Sequence, residues 1–162
     1  MINTAAAWDA LRGVADPEVP AISVVDLGII HEISIAGDRV TVAVMPTYSG
    51  CPALEVIERD IGQALRSAGA GEVIVKRILT PAWSTAMISD TGRQRLKAYG
   101  IAPPLHLEVE PLVALGPTVR KLECPFCGSH HTSLRSEFGP TPCKALYHCA
   151  ACNQPFEHFK AF

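Results

Sequence analysis

Two cysteine pairs with the same spacing lie in the last quarter of the chain. Cys124 and Cys127 enclose Pro-Phe, and Cys149 and Cys152 enclose Ala-Ala. Two Cys-x-x-Cys turns can supply the four thiolates that Zn²⁺ binds as a tetrahedron at about 2.3 Å. A segment of about 40 residues buries too little apolar surface to fold unaided, so the ion would supply the missing stability. The spacing therefore predicts a four-cysteine zinc ribbon over residues 118–162.

The residues before the ribbon have the composition of a domain with its own core. The chain has 162 residues, of which 48% are hydrophobic and 19% are charged. These proportions allow residues 1–117 to bury a core without cross-links. Four prolines within residues 102–117 predict a semi-extended connector at the end of this domain.

Neither a secretory leader nor a membrane span is indicated. Residues 1–12 enter a polar, helix-like segment directly, and no apolar run approaches the roughly 20 residues that cross a bilayer. A chain with six cysteines and no leader is expected in the reducing cytoplasm. The net charge is −2 and the basic residues of the ribbon are scattered, so nucleic acid is not an expected partner.

Residue periodicity predicts a small α+β domain with the order α-β-β-α-β-α and a mixed sheet, followed by the ribbon. The predicted elements are a helix to about Gly13, strands over 28–35 and 39–44 joined by a turn at 36–38, a helix over 54–68 and a strand over 73–79. Ser84 and Asp90 are candidate caps for one or two short helices that end by Tyr99.

Cys51 lies immediately before the helix predicted from Leu54. Because free N–H groups and the helix dipole favour an anion there, its thiol is expected to be acidic. A thiolate at this point could attack a substrate, bind a soft metal or accept iron and sulfur, and Gly50 would allow close approach of a ligand. The alternative is a small buried side chain that serves only packing.

Asp16, Glu18 and Asp26 form an acidic group on the loops on either side of Pro20. Carboxylates near an acidic thiol would suit metal binding or proton transfer. The alternative is structural, because aspartates in such loops commonly bond to nearby backbone groups. His31 lies between apolar strand residues and is interpreted as a structural histidine.

Other candidate ligands adjoin the ribbon cysteines. His130, His131 and His148 are expected to be surface or supporting residues, since four thiolates already complete a tetrahedron. Cys143 could replace one of the four, act as a transfer thiol or pack inertly, and the sequence leaves these options open.

Three motifs in order carry a family resemblance: Asp16-Pro-Glu-Val-Pro20, Ser23-Val-Val-Asp-Leu-Gly28 and Ser49-Gly-Cys-Pro52. Together they resemble the small α/β domain of iron–sulfur assembly factors. The runs Trp83–Ser89 and Ala98–Pro104, with the terminal ribbon, narrow the resemblance to the D-subunit family of phenylacetyl-CoA epoxidase systems.

The resemblance implies an accessory role in aerobic phenylacetate degradation, with no turnover reaction of the chain's own. Cys51 matches the motif cysteine of the family, and Asp16, Glu18 and Asp26 fall on its acidic positions. The implied activity is assembly or insertion of iron or an iron–sulfur cluster in the oxygenase or reductase component. One exposed thiolate per chain cannot hold a stable cluster, so transient binding, also across a homodimer, is expected.

Two other functions stay open. The chain could be a stoichiometric structural subunit that uses the phenylalanines of the ribbon as a partner surface, namely Phe126, Phe138, Phe156, Phe159 and Phe162. It could also be a cysteine hydrolase or transferase with Cys51 as nucleophile and His31 or His106 as base. No ordered triad or oxyanion motif supports that enzyme hypothesis.

Overall fold

The computed structural model describes residues 2–48, 50–105 and 121–160. The chain forms two compact units, residues 1–92 (unit 1) and 93–162 (unit 2). The predicted domain boundary at 117/118 and most of the predicted connector lie outside the described residues. Among the described residues, none of the helices combines the length and the hydropathy of a membrane span.

The predicted α+β class with a mixed sheet and a terminal four-cysteine ribbon is confirmed. The elements up to residue 98 are α1 (Thr4–Arg12), β1 (Ile30–Ala36), β2 (Arg39–Val44), α2 (Leu54–Ser67), β3 (Glu72–Arg77), a 3₁₀ turn (Thr85–Met87) and α3 (Asp90–Ala98). The sheet of unit 1 has the order β1-β2-β3, with β1 antiparallel and β3 parallel to β2.

The hairpin between β1 and β2 forms where the sequence predicts it. Ala36 pairs with Arg39, and Gly37 takes a positive φ of 67° in the two-residue turn between them. The register shifts between Ile30 and Glu32, which is a bulge near the start of β1. His31 lies at this bulge and is exposed, so the expectation of a structural histidine enclosed by apolar neighbours is wrong.

The core of unit 1 lies between α2 and the sheet. Val40, Val42 and Val44 of β2 are fully buried because they alternate toward one face of the central strand. The apolar residues of α2 recur with helical spacing and are buried as well: Leu54, Ile57, Ile61 and Leu65. Burial of each such side chain contributes about 1.5–3 kcal/mol, so this face fixes α2 against the sheet.

The start of α3 differs from the prediction in its cap. Ser89, rather than Asp90, caps the helix, because Ser89 Oγ accepts the N–H of Gly92 at 2.9 Å. Asp90 is the first helical residue, where its negative charge is still favourable. Ser84 precedes the 3₁₀ turn as predicted, but its side chain makes no cap bond.

Unit 2 contains a four-stranded sheet with the order β4-β7-β6-β5. Its strands are β4 (Ile101–Ala102), β5 (Thr132–Ser136), β6 (Lys144–Cys149) and β7 (Pro155–Phe159). β5, β6 and β7 are antiparallel neighbours, and the short β4 runs parallel to β7. Cys149 ends β6, so the sheet places one of the two cysteine turns at a strand end.

Candidate metal centre and cysteine loop

The four ribbon cysteines converge on one point in unit 2. Their Sγ atoms all lie within 4.8 Å of one another. Cys124 Sγ is 3.7 Å from Cys152 Sγ, and Cys127 Sγ is 3.6 Å from Cys149 Sγ. A tetrahedron with Zn–S bonds of about 2.3 Å has S···S edges of about 3.8 Å. The four sulfur atoms therefore fit a tetrahedral metal ion, and Zn²⁺ is the ion that this donor set suits.

Each cysteine turn ends in a residue with left-handed backbone geometry. Gly128 has φ 74° and follows Cys127, and Asn153 has φ 59° and follows Cys152. The backbone closes both turns: Gly128 N–H donates to Cys124 O, and Cys149 N–H donates to Gln154 O, both at 2.9 Å. Asn tolerates this conformation better than most residues.

Backbone donors and crowding act in opposite directions on the thiols. The N–H groups of Cys152 and Ala151 lower the pKa of Cys149 to about 7. Removal from water and the neighbouring sulfur atoms raise the pKa of Cys152 to about 12. Thiols this close oppose one another's ionisation unless a cation compensates their charges. A bound divalent ion would supply that compensation.

The inner side of the cysteine cluster is apolar. Cys124 and Cys149 are fully buried beside Ala102 and Phe156, and Tyr147 stacks on Phe156 with ring centroids 5.8 Å apart. Cys127 on the other side is exposed. The metal position is thus anchored in the small core of unit 2 and open at one edge.

The remaining candidate ligands stay apart from the cluster. Cys143 is buried, and its Sγ lies 3.1 Å from Thr141 Oγ1 rather than in the four-sulfur group. His130 and His131 are exposed, whereas His148 is half-buried with Nε2 3.0 Å from Asn153 Oδ1. This contact helps to hold Asn153, the residue with positive φ in the second cysteine turn.

Two ionisable residues of unit 2 have roles that no sequence pattern indicated. Lys144 is buried, and its Nζ lies 2.7 Å from Glu157 Oε2 on the neighbouring strand β7. His158 is also buried, with Nδ1 3.1 Å from Ala102 O of β4. Both contacts join strands of the sheet that carries the cysteine cluster.

Cys51 lies in the loop between β2 and α2 and is half-buried. It stands two residues before the N-cap position of α2, Ala53, which offers no side-chain cap bond. Cys51 O accepts the N–H of Leu54 at 3.3 Å, which ties the cysteine to the first helical residue. Gly50 before it is exposed and has φ 79°, and a Cβ there would meet no atom within 4 Å. The backbone beside Cys51 is therefore open to an approaching group.

An apolar recess of about 180 Å³ lies on the loop that leads to Cys51. Leu79 on its wall is 70% exposed, whereas Trp83 is buried and donates its indole N–H to Leu27 O at 2.9 Å. The other lining residues are Pro46, Thr47, Tyr48, Ile78 and Ala82. The exposed leucine gives this recess an apolar rim.

The acidic candidates hold the neighbouring loops by hydrogen bonds. Asp16 is buried, and its Oδ1 accepts the N–H groups of Glu18 and Val19 at 2.8 Å. Asp26 accepts the hydroxyl of Ser23 at 2.9 Å and that of Ser89 at 3.0 Å. Both carboxylates thus organise the chain around them.

Cys51 and these carboxylates do not form a multidentate cluster. Among the described residues, the one group of three or more Cys, His, Asp or Glu side chains with metal-binding distances is the ribbon quartet. Of the bases considered for an enzyme, His31 is exposed in β1 and His106 lies outside the described residues.

Comparison with known families matches both parts of the chain. The iron–sulfur cluster assembly protein family matches residues 4–76, and the PaaD zinc beta ribbon domain matches residues 109–160. A domain of unknown function (DUF59) from Bacillus anthracis, solved by crystallography, covers 56% of this chain and 87% of its own, with a TM-score of 0.52 and 24% identity. That likeness concerns the fold.

Two relatives extend the match. A putative D-subunit of the 1,2-phenylacetyl-CoA epoxidase of Escherichia coli is 42% identical over 153 residues, which are 94% of this chain and 90% of the relative. The Fe-S protein maturation auxiliary factor of Porphyromonas gingivalis is 35% identical over 88 residues, 53% of this chain and 83% of the relative.

Fold and site together define a class of two-part proteins in which an iron–sulfur assembly-type α+β domain precedes a four-thiolate ribbon. The chain belongs to the D-subunit family of phenylacetyl-CoA epoxidases.

Proposed function

We propose that this protein is a maturation factor for a phenylacetyl-CoA epoxidase, and that it assists assembly or insertion of iron or an iron–sulfur cluster. The observation that carries the proposal is that one chain matches both an epoxidase component and an iron–sulfur assembly family. The relative named as an epoxidase component matches 94% of it, and an iron–sulfur assembly family matches the half that holds Cys51. The client would be the oxygenase or the reductase component.

In this function Cys51 acts as a transfer ligand. Its thiolate binds iron or a cluster, and ligands of the client then replace the thiolate on the iron. The iron or cluster is therefore held only transiently. The half-buried position of Cys51, next to the exposed Gly50, supports such an exchange, and the recess on the preceding loop offers the client an apolar surface at Leu79. A second copy would contribute a second Cys51 thiolate. The participation of Asp16, Glu18 and Asp26 stays a prediction.

The ribbon has a supporting task in this proposal. A bound Zn²⁺ would stabilise unit 2 and hold the exposed Phe126 and Phe138 for contact with the client. Their side chains are 57% and 69% exposed, although aromatic residues of a domain this small usually pack inside. Phe156 and Phe159 are buried, and Phe162 lies outside the described residues.

Co-expression tests the proposal directly. The epoxidase components are produced with the wild-type chain, without it, and with Cys51→Ser, and are then purified free of it. We expect iron-poor, inactive components without the chain and with Cys51→Ser, and no recovery when purified chain is added to the assay. Cys143→Ser is the matched control because it removes a thiol outside the ribbon quartet, and it should behave as the wild type.

A second candidate function is that of a stoichiometric structural component, which the match to an epoxidase component and the exposed phenylalanines favour. It predicts the opposite result. Components made without the chain would contain their full iron, and simple mixing would restore activity. The maturation proposal would then be wrong.

A further inference from the structure

Strand β3 is an edge strand of the unit 1 sheet in the part of the chain that the structure describes. It pairs with β2 on one side, and within the described ranges no strand lies on its other side. Its central residues Val73, Ile74 and Val75 are only half-buried. The corresponding valines of β2 are fully buried. Apolar side chains of β3 therefore remain partly in contact with solvent at the edge.

The backbone of β3 directs alternate residues toward this edge. Glu72 N–H donates to Asp38 O at 3.2 Å, and Ile78 N–H donates to Val44 O at 2.9 Å. The even-numbered residues of β3 thus direct their backbone N–H and C=O groups toward β2. In a parallel pair the alternate residues direct both N–H and C=O away from the partner strand. Val73 and Val75 accordingly present their backbone groups outward, as a template for another strand.

The two edges of the sheet differ in how they discourage pairing. β1 carries a bulge between Ile30 and Glu32, a common device for protecting an edge. The ladder between β2 and β3 is regular from Arg39↔Glu72 to Val44↔Arg77. β3 also contains no proline. Its charged residues are Glu72 at one end and Lys76 and Arg77 at the other, so the strand has opposite charges at its two ends.

We propose that two copies of this chain pair through β3, antiparallel, with Ile74 on the two-fold axis. Val73 and Val75 of one copy would then exchange backbone hydrogen bonds with Val75 and Val73 of the other. The same register sets Glu72 opposite Lys76 of the second copy, and Lys76 opposite its Glu72. The interface would join two three-stranded sheets into one of six strands.

Charge complementarity selects this register among the alternatives. A two-fold axis perpendicular to the sheet allows only registers that differ by two residues, since facing side chains must share a face. A shift in either direction would set Glu72 opposite Ile74 or Ile78 and would lose both charge pairs. Glu72 contacts Arg39 at 2.5 Å, but both side chains are more than half exposed, so Glu72 can also receive Lys76. This interface does not depend on the proposed maturation role.

Charge reversal tests the pairing. Lys76→Glu sets like charges opposite each other twice, and Glu72→Lys does the same. We expect the wild type to show a concentration-dependent dimer by sedimentation velocity, and each variant to dimerise about tenfold more weakly or worse. An equimolar mixture of the two variants restores both opposite-charge pairs and should recover the dimer. A wild type that stays monomeric at the highest concentration, or a dimer unaffected by either variant, would overturn the proposal.

A cross-link tests the register. Ile74→Cys brings two thiols face to face on the axis, within the distance that a disulfide spans, so oxidation should yield a covalent dimer linked at position 74. Thr41→Cys is the matched control because Thr41 pairs with Ile74 from the central strand, one strand further from the axis. It should not cross-link. Linkage at position 41 rather than 74, mapped by mass spectrometry, would contradict the register.

Discussion

The carboxylate of Asp26 shows how one side chain can hold several segments of unit 1. It accepts hydroxyl hydrogen bonds from Ser23 and Ser89, and the main-chain oxygen of Asp26 accepts the N–H of Ser89 at 2.9 Å. Ser89 in turn caps α3 through Gly92. The side chain therefore connects the loop before β1 with the start of α3.

We expect Asp26→Ala to lower the free energy of unfolding by about 1–3 kcal/mol, because two hydroxyl groups lose a charged acceptor. Asp26→Asn keeps one oxygen acceptor and should cost less. Thermal unfolding of the two variants measures this difference. The co-expression assay then addresses function: an Asp26→Asn protein that is stable but leaves the client iron-poor would favour participation in transfer. If the client co-expressed with Asp26→Asn contains its full iron, Asp26 serves only to organise the loops.

His158 makes the stability of unit 2 depend on pH. Burial lowers its pKa, and the hydrogen bond with Ala102 O only partly opposes this. The unfolded chain therefore binds a proton below about pH 6.5 that the folded chain resists. Stability attributable to His158 is complete above that pH and declines as the pH falls toward the lower folded pKa.

Between pH 8 and pH 6 the loss from His158 should be at most about 0.8 kcal/mol, the limit that an unfolded pKa of about 6.5 sets. His158→Gln, which cannot titrate, should show a correspondingly smaller change when unfolding is followed by circular dichroism at both pH values. Protonation of the cysteine thiols affects both proteins alike, so the difference between them isolates His158. Equal losses in the two proteins would contradict the assignment.

At the scale of elements, Gly28 allows the segment before β1 to pack closely against the 3₁₀ turn. Its φ is 76°, and a Cβ at this position would lie 2.2 Å from Met87 O and 2.7 Å from Met87 C. These are backbone atoms, which cannot move aside as a flexible side chain could. Trp83 fixes the same neighbourhood through its hydrogen bond to Leu27 O.

Gly28→Ala should therefore cost about 3 kcal/mol or more, the sum of left-handed strain and overpacking against backbone. Gly37→Ala is the matched control, because Gly37 also has a positive φ but nothing lies within 4 Å of the added Cβ. It should cost about 1 kcal/mol, from strain alone. Urea unfolding of the two variants compares them directly. Similar losses would show that the contact with Met87 is not limiting.

Local chemistry made several elements predictable from the sequence. The apolar stripe of α2, the Gly37 turn and the spacing of the ribbon cysteines each act within a few residues, and all three appear as predicted. Contacts between distant residues were not predictable. The cap of α3 could have been either Ser89 or Asp90, and only the structure shows that the Ser89 hydroxyl takes this role. The exposure of His31 depends on a bulge that the alternation of apolar and polar residues in β1 does not indicate.

The candidate site divides in the same way. The four ribbon cysteines were predictable because two turns of fixed spacing can build a tetrahedron regardless of the rest of the fold. The buried Lys144–Glu157 pair and the His158 contact were not, since both need the register of β6, β7 and β4. The sequence motif singled out Cys51 as a candidate, but its half-buried position depends on the conformation of the loop before α2.

At the scale of the whole molecule, the two units should respond differently to loss of a metal ion. We expect the purified protein to contain one zinc ion, and removal by a strong chelator to unfold the ribbon while unit 1 keeps its fold. Hydrogen exchange should become fast in residues 121–160 and remain slow in β2 and α2. Zinc analysis before and after chelation confirms that the ion has left.

Two cysteine variants control this experiment. Cys124→Ser removes a fully buried ligand and should copy the chelated state, whereas Cys143→Ser lies outside the quartet and should retain zinc. If exchange accelerates equally in both units, unit 1 also depends on the ion. If it accelerates in neither, the ion is not needed for the fold of unit 2.

The buried indole of Trp83 has a practical consequence for spectroscopy. The chain has two tryptophans, Trp8 and Trp83, and both belong to unit 1. Intrinsic emission excited at the indole band therefore reports the state of the assembly-type domain alone. An indole-fluorescence melt of this protein would not detect unfolding of the ribbon, which would have to be followed through tyrosine emission, to which Tyr147 of the ribbon contributes.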